Sequence, residues 1–348
     1  MAVDTTDSSS GVPVGGKGIM DPVRMGIVGG TGRIHAAPTL VAFGNGYFQE
    51  EGVDVELVET GGAPDAMPKV ASGELDVTMR GPGLDFFLNW RRKAPMVMVA
   101  DHGLLRPGRG TGTVVARPEL VEQGKLRDYS DLRGKKIGLS ARRGHHDWMT
   151  LAWALRRGGL TFDDVDVVTV PFGPEDRPRG EPSDRHKALA NGTIDLTTVA
   201  RPESIVAGRE TGAFVVWKDA YEIQPGRPAW VVIFSHHFRS ERPEEARRYV
   251  RGYLRGVRAY HDAFEHGIER DEIIKVLAEQ AHATEDSIAN QNPVGLNPDG
   301  YVNMESVTAD LRWLEEEGVL PRQVPVDQIV DHSYLDDALV KLGKYRAP

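Results

Sequence analysis

The sequence of 348 residues contains no cysteine. That one absence excludes disulfides, thiolate metal sites, lipid attachment through sulfur and thiol nucleophiles. Long apolar runs are missing too, and none approaches the roughly 18 residues of a membrane-spanning helix. Positive charge is in deficit: 42 Lys and Arg stand against 51 Asp and Glu, a formal net charge of −9. Nucleic-acid binding and docking on an acidic membrane both call for a basic surface, so neither partner is expected. The first 24 residues, rich in Ser, Thr, Gly and Asp, hold no apolar stretch of about 7–15 residues that would mark a secretory signal. Residues 1–22 therefore read as a disordered leader. As it stands the chain is expected in the cytoplasm, and a periplasmic or extracellular site would require that an export signal had been removed.

What remains is ample for a folded core. The hydrophobic share is 40%, and the length suits about two domains. The regular part starts at Val23, and residues 25–28 form a short apolar run that ends in Gly29, Gly30 and Gly32, a strand followed by a loop. Residues 36–43 have helical spacing. Residues 53–58, VDVELV, alternate as a half-buried strand does. Helices over 63–71 and 84–90 and strands over 75–79 and 96–100 follow. The pattern then restarts: strands at 136–139, 165–170, 194–199 and 214–218 are interleaved with helices at 148–157 and 185–190. This alternation predicts an α/β fold with mostly parallel strands and flanking helices. From Arg242 onward the chain reads as helical, with Tyr249, Val250, Leu254, Val257 and Tyr260 on one face.

SGELDV at residues 72–77 has a counterpart in NGTIDL at 191–196, an offset of 119 residues. Each places Gly at a helix end, where a left-handed backbone is wanted, just before a strand that bears Asp. Two similar lobes are expected rather than a repeat array.

Three segments carry a family resemblance: GYFQEEGVDVELVE at 46–59 with ASGELDV from 71, LRGKKIGLSARRGHHDW at 132–148, and the run from AWVVIFSHHF at 229 to Tyr260. In order and spacing they resemble the solute-binding proteins for sulfonates and thiamine precursors, a branch of the type II periplasmic-binding fold. The resemblance implies two lobes joined by two crossing segments, with ligand in the cleft. Lobe one would be residues 23–117 plus 229–348, and lobe two 118–228. It also implies an ABC permease as a partner for an exported protein. Thiamine-pyrimidine synthases share the GYF and LRGKKIG runs. Their cofactor-linked Lys falls on Arg80 and their substrate-donating His on Leu84, and their Cys cluster has no equivalent. Aromatic sulfinate desulfinases have an Arg-Gly pair that resembles Arg80 and Gly81, while their Cys nucleophile lands near Arg33. Neither chemistry can run here unchanged.

Ligands of open α/β sheets sit beyond the C-terminal strand ends. Four loops occupy such places. GGTGRIHAAP at 29–38 offers Gly32, Arg33 and His35, with glycines that admit a ligand to the backbone and a following helix N-terminus for an anion. Its glycine spacing is not that of a dinucleotide site. MRGPGLD at 79–85 offers Arg80, Gly81 and Gly83; the guanidinium is a planar fork for carboxylate or sulfonate, or else a salt-bridge partner of Asp85. SARRGHHDW at 140–148 offers Ser140, Arg142, Arg143, His145 and His146, and the adjacent His residues lack the spacing of a helical zinc pair. VARPES at 199–204 offers Arg201 and Glu203. His236 and His237 follow the WVVIF strand and are weaker candidates; Trp90, Trp148 and Trp153 read as core or rim. No phosphate loop, Ser-His-Asp order or metal motif is evident, so neither cofactor nor metal is expected.

Two functions fit these residues. One is binding of a small anionic or heteroaromatic ligand by hinge closure. The other is a lyase, decarboxylase or hydrolase acting on a small cyclic acid, with Arg80 holding a carboxylate and His35 or His145 as general acid or base.

Overall fold

The computed structural model describes residues 21–28, 35–61, 63–90, 96–109, 112–171, 183–199, 205, 208, 210–321 and 324–348. Most of the expected leader thus lies outside the described residues. The strands are β1 (Val23–Val28), β2 (Val55–Thr60), β3 (Val77–Arg80), β4 (Val97–Leu104), β5 (Thr113–Ala116), β6 (Lys136–Leu139), β7 (Asp166–Thr169), β8 (Leu196–Val199), β9 (Val215–Asp219) and β10 (Pro228–Phe234). They make two five-stranded sheets, ordered β2-β1-β3-β10-β4 and β7-β6-β8-β5-β9. In each sheet four strands run one way. The fifth, β10 or β5, is reversed and lies between two of them.

The repeat read from the sequence is real in space. Gly73 and Gly192 take φ of +80° and +74°. Asp76 accepts a hydrogen bond from the Arg24 amide at 2.9 Å, and Asp195 accepts one from the Lys136 amide at 2.9 Å. Each Asp therefore pins the start of a strand in its own lobe, β1 or β6. Leu75 packs over Gly26 and Ile194 over Gly138, so close that a Cβ on either glycine would meet the covering side chain at 2.7 or 2.5 Å. Thr78 and Thr197 then bond the carbonyls of those glycines at 3.0 and 2.7 Å.

The helices that matter to the cleft are α1 (Ala37–Gly44), α2 (Ala63–Ser72), α3 (Leu84–Trp90), α4 (His146–Arg157), α5 (Asp184–Ala190), α6 (Pro243–His261), α7 (Met304–Glu316) and α8 (Ser333–Leu342). One face of the first sheet buries Met25, Val77 and Phe234 under α1, α6 and α8. A second core runs without a break from Met67, Phe86 and Phe87 in one lobe to Leu139, Trp148 and Leu155 in the other.

Two expected boundaries move. β5 pairs with β8 and β9, so the chain has already entered the second lobe at Thr113, before the expected break after Arg117. The C-terminal region is not confined to lobe one either. Gly295 and Gly300 bond β4 of the first sheet, as does Ile329, whose carbonyl accepts from the Met98 amide at 2.8 Å. Between these anchors α7 packs on lobe two, with Trp153 donating to Asp310 at 2.9 Å and Arg156 paired to Glu316 at 2.5 Å. Val307, Leu311 and Leu314 are buried in the core that the two lobes share, each contributing roughly 1.5–3 kcal/mol before entropy is counted.

Candidate functional site

A cavity of about 140 Å³ opens between the two sheets. That is near the volume that accepts one benzene molecule, so its scale is a single ring or a short chain. Lobe one supplies Met67, the loop from Arg80 to Gly83, and the first residues of α3. Lobe two supplies Arg142, Gly144, His145, His146 and Met149, and Arg227 comes from the returning crossover. The loops after β3 and β6, with the helix N-termini they lead into, thus meet across the cleft. Helix N-termini favour negative charge.

Arg80 ends β3 and is 7% exposed. Its Nη1 donates to the Met79 carbonyl at 2.6 Å and its Nη2 to the Thr60 hydroxyl at 2.6 Å. Thr60 in turn donates to the Ile27 carbonyl at 2.8 Å. The ends of three strands therefore fix one permanently charged guanidinium at the cleft wall.

Arg227 is almost as buried. Its Nε donates to Asp310 Oδ2 at 2.6 Å, and its Nη2 lies 3.7 Å from the Met149 sulfur. Asp310 also accepts from Trp153 Nε1 at 2.9 Å and Gln224 Nε2 at 3.2 Å.

The loop before α4 is organised by Asp147. This fully buried carboxylate accepts from the Ser140 amide at 2.7 Å, the Ser140 hydroxyl at 3.0 Å, the Trp148 amide at 2.9 Å and Arg185 Nη2 at 2.6 Å. His145 Nδ1 lies 3.2 Å from it. Burial works against the charge on Asp147, but the hydrogen bonds from His145 and Arg185 outweigh it and hold the pKa well below the usual carboxylate range. An ionised Asp147 selects the Nδ1–H form of His145 and leaves Nε2 as the basic nitrogen. The His146 ring lies 4.2 Å from that of His145. Surrounding protein lowers the His146 pKa to about 3, and repulsion from His145 adds to the effect. His146 nevertheless keeps an exposed face. Water at that face weakens the depression, whose direction is toward the neutral ring.

Gly144 has φ of +90°, and a Cβ there would lie 3.0 Å from Leu84, Leu314 and Val319. Only glycine lets this loop approach lobe one so closely. Beside it Arg142 Nη1 and Asp85 Oδ1 form an ion pair of 2.6 Å across the cleft.

Of the sequence candidates, the structure brings Arg80, Gly81, Gly83, His145 and His146 to one cavity. Ser140 does not line it and acts on the loop through Asp147. Arg143 turns away, pairing with Glu317 and lying 5.4 Å over the Trp148 ring. His35 stands apart from the cavity lining, its ring 4.9 Å from Trp230. Gly32, Arg33, Arg201 and Glu203 lie outside the described residues. Asp85 takes Arg142 as its partner. His236 and His237 open a short helix capped by Ser235, away from the cavity. Among the described residues no group of three His, Asp or Glu side chains is placed to hold a metal ion.

Sequence reasoning missed Arg227, Met67 and Met149, because a lone Arg between Gly226 and Pro228 has no local signature. It also missed His102, fully buried on β4. His102 Nδ1 lies 2.9 Å from the Tyr253 hydroxyl and Nε2 lies 3.0 Å from the His35 carbonyl. The carbonyl can only accept, so Nε2 carries a proton. Burial lowers the His102 pKa to about 4.

A family model described as NMT1/THI5 like matches residues 34–266. A protein of Bacillus subtilis (strain 168), named for binding aliphatic sulfonates, is 22% identical over 322 residues, spanning 87% of this chain and 85% of its own. A 4-amino-5-hydroxymethyl-2-methylpyrimidine phosphate synthase of Aspergillus parasiticus is 30% identical over 132 residues, 38% of this chain and 35% of its own. Among solved structures, a periplasmic sulfonate-binding protein of Methylobacillus flagellatus superposes with a TM-score of 0.68 at 21% identity, covering 94% of this chain and 98% of that one. That last likeness establishes the two-lobed fold.

Proposed function

The chain belongs to the NMT1/THI5-like family, and we propose that it binds one small organic anion in the cleft between its lobes. The observation that carries this reading is the convergence of Arg80 and Arg227 on a cavity whose other walls include Met67, Phe86 and Met149. Fixed guanidinium groups hold a carboxylate or sulfonate, and the methionine and phenylalanine side chains cover an alkyl chain or a ring. Ligand closes the hinge between the lobes. In an exported form the loaded protein hands its ligand to an ABC permease, the role that the name of the Methylobacillus flagellatus relative indicates for that protein. No described helix is long and apolar enough to cross a membrane.

The test is calorimetry and thermal melting with ethanesulfonate, benzenesulfonate, propionate and benzoate. A ligand at about 100 times its Kd raises stability by roughly 2.7 kcal/mol. Binding with the ligand recovered unchanged supports a binding protein. No stabilisation by any small organic anion would overturn it.

A second reading rests on the His145–Asp147 pair. A carboxylate that orients an imidazole beside a bound acid is also the arrangement of a general base. In that case incubation returns an altered ligand, and His145→Ala stops turnover while leaving binding. His35, away from the cavity lining, has no part in this reading.

A further inference from the structure

The family match ends at residue 266, yet the cleft depends on a residue well beyond it. Arg227 reaches the cavity from the returning crossover, and among the described residues its carboxylate partner is Asp310 on α7. Asp310 is 1% exposed and does not line the cavity. It takes three donors at once: Arg227 Nε, Trp153 Nε1 and Gln224 Nε2. The three come from the crossover and from lobe two, while the segments before and after α7 bond β4 of lobe one through Gly295, Gly300 and Ile329.

A guanidinium has five N–H groups in a rigid plane. The Asp310 carboxylate holds the Nε edge, and the Met149 sulfur sits beside Nη2. With Nε held by Asp310 and one Nη2 N–H directed at Met149, the remaining terminal N–H groups are those available to contents of the cavity that Arg227 lines. Without Asp310 the side chain would rotate about its flexible stem and lose that direction.

We propose that Asp310 is a positioning residue for ligand recognition: through its bond to Arg227 Nε it aims the Arg227 guanidinium into the cleft, so that the C-terminal helix helps set ligand affinity. This rests on the reading of the cleft as an anion site. It goes beyond that reading by assigning a role to a residue that touches no ligand.

The experiment compares Asp310→Asn, Asp310→Glu, Arg227→Gln, the Asp310→Asn/Arg227→Gln double variant and Trp153→Phe in the full chain. Calorimetry with benzenesulfonate reads affinity. Asp310→Asn is expected to weaken binding about tenfold, and Asp310→Glu, which keeps the charge but displaces it, by less. The double variant is expected to bind no more weakly than Arg227→Gln alone, since both changes break one bond. Trp153→Phe removes a different bond to the same carboxylate and leaves the Arg227 Nε bond, so its loss of affinity should be smaller than that of Asp310→Asn. If folded Asp310→Asn and Asp310→Glu proteins both bind as wild type, or if the double variant shows the full product of the two losses, the proposal fails. A ligand-free readout accompanies this: the Arg227 Nε–H resonance, identified by its loss in Arg227→Gln. It should be protected from exchange in wild type and Trp153→Phe, and lose protection in Asp310→Asn. Unchanged protection there overturns the proposal. If wild type binds no organic anion, the cleft reading falls, and the resonance still decides whether Asp310 aims Arg227.

Discussion

Arg142 and Asp85 form an ion pair that joins the two lobes across the cleft, Nη1 to Oδ1 at 2.6 Å. The Arg142 side chain is 46% exposed, so the pair contributes no more than about 1 kcal/mol. That is too little to hold the fold but enough to change a hinge equilibrium several-fold. Asp85→Asn is therefore expected to leave the melting temperature nearly unchanged while opening the ligand-free protein. Small-angle scattering should show a larger radius of gyration without ligand, restored when ligand is added. An unchanged radius would mean that the pair does not govern closure.

Arg80 offers the direct test of the cleft. A charge-assisted hydrogen bond contributes about 1.5–3 kcal/mol, so Arg80→Ala should weaken anion binding roughly 10- to 100-fold. Arg80→Lys restores the charge without the fork, and its affinity should fall between the two. Calorimetry checks this, with circular dichroism to confirm the fold. Equal affinity in wild type and Arg80→Ala would remove Arg80 from the site.

Asp147 ties the loop before α4 to stability. Its native pKa lies below the unfolded value near 3.8, so its contribution is complete above that pH and is lost as pH falls toward the native pKa. Asp147→Ala leaves buried Arg185 without this carboxylate and should cost about 3–5 kcal/mol in denaturant unfolding at pH 7. Because wild type surrenders this contribution in acid and the variant lacks it, the gap between them should narrow below pH 4. A gap independent of pH would show that ionisation of Asp147 is not what matters.

His102 predicts a second, separate pH effect. Its native pKa of about 4 lies below the unfolded 6.5. The unfolded chain therefore binds the proton first, and stability from this residue is full above pH 6.5 and falls as pH drops toward 4, by up to roughly 3 kcal/mol. His102→Gln keeps an N–H for the His35 carbonyl without titrating. Its stability should thus gain on wild type as pH falls through this range. Neighbouring Asp101, raised to about 7 by burial, titrates in the opposite sense. It is present in both proteins, so the comparison isolates His102. Parallel pH profiles would rule out the assignment.

Much of the fold was legible because its signals are local. The alternation VDVELV gave β2, and the two Gly-x-apolar-Asp junctions announced two lobes, since Asp76 and Asp195 do the same work at equivalent places. Element ends were less legible. β4 extends from Val97 to Leu104 although its apolar run stops at Ala100, because Asp101 and His102 are satisfied by distant partners, Asn297 and Tyr253. The break after Arg117 was misplaced because β5 belongs to whichever sheet supplies neighbours, and β8 and β9 come later in the chain.

The lining of the candidate site was legible to the extent that it lies in loops after strands. Arg80, His145 and His146 could be named from that rule alone. Arg143 could not be told from Arg142 by sequence, since adjacent side chains point apart and only the placement of Glu317 and Asp85 decides between them. The sequence by itself determined the class of fold, the two-lobe repeat and the absence of cysteine thiol chemistry, because these follow from composition and short-range periodicity. Tertiary structure alone decided that Arg227 lines the cavity and that Asp310, far along the chain, is the carboxylate bonded to it. Such meetings are set by sheet order and by where the chain crosses between lobes, and no short stretch of sequence encodes them.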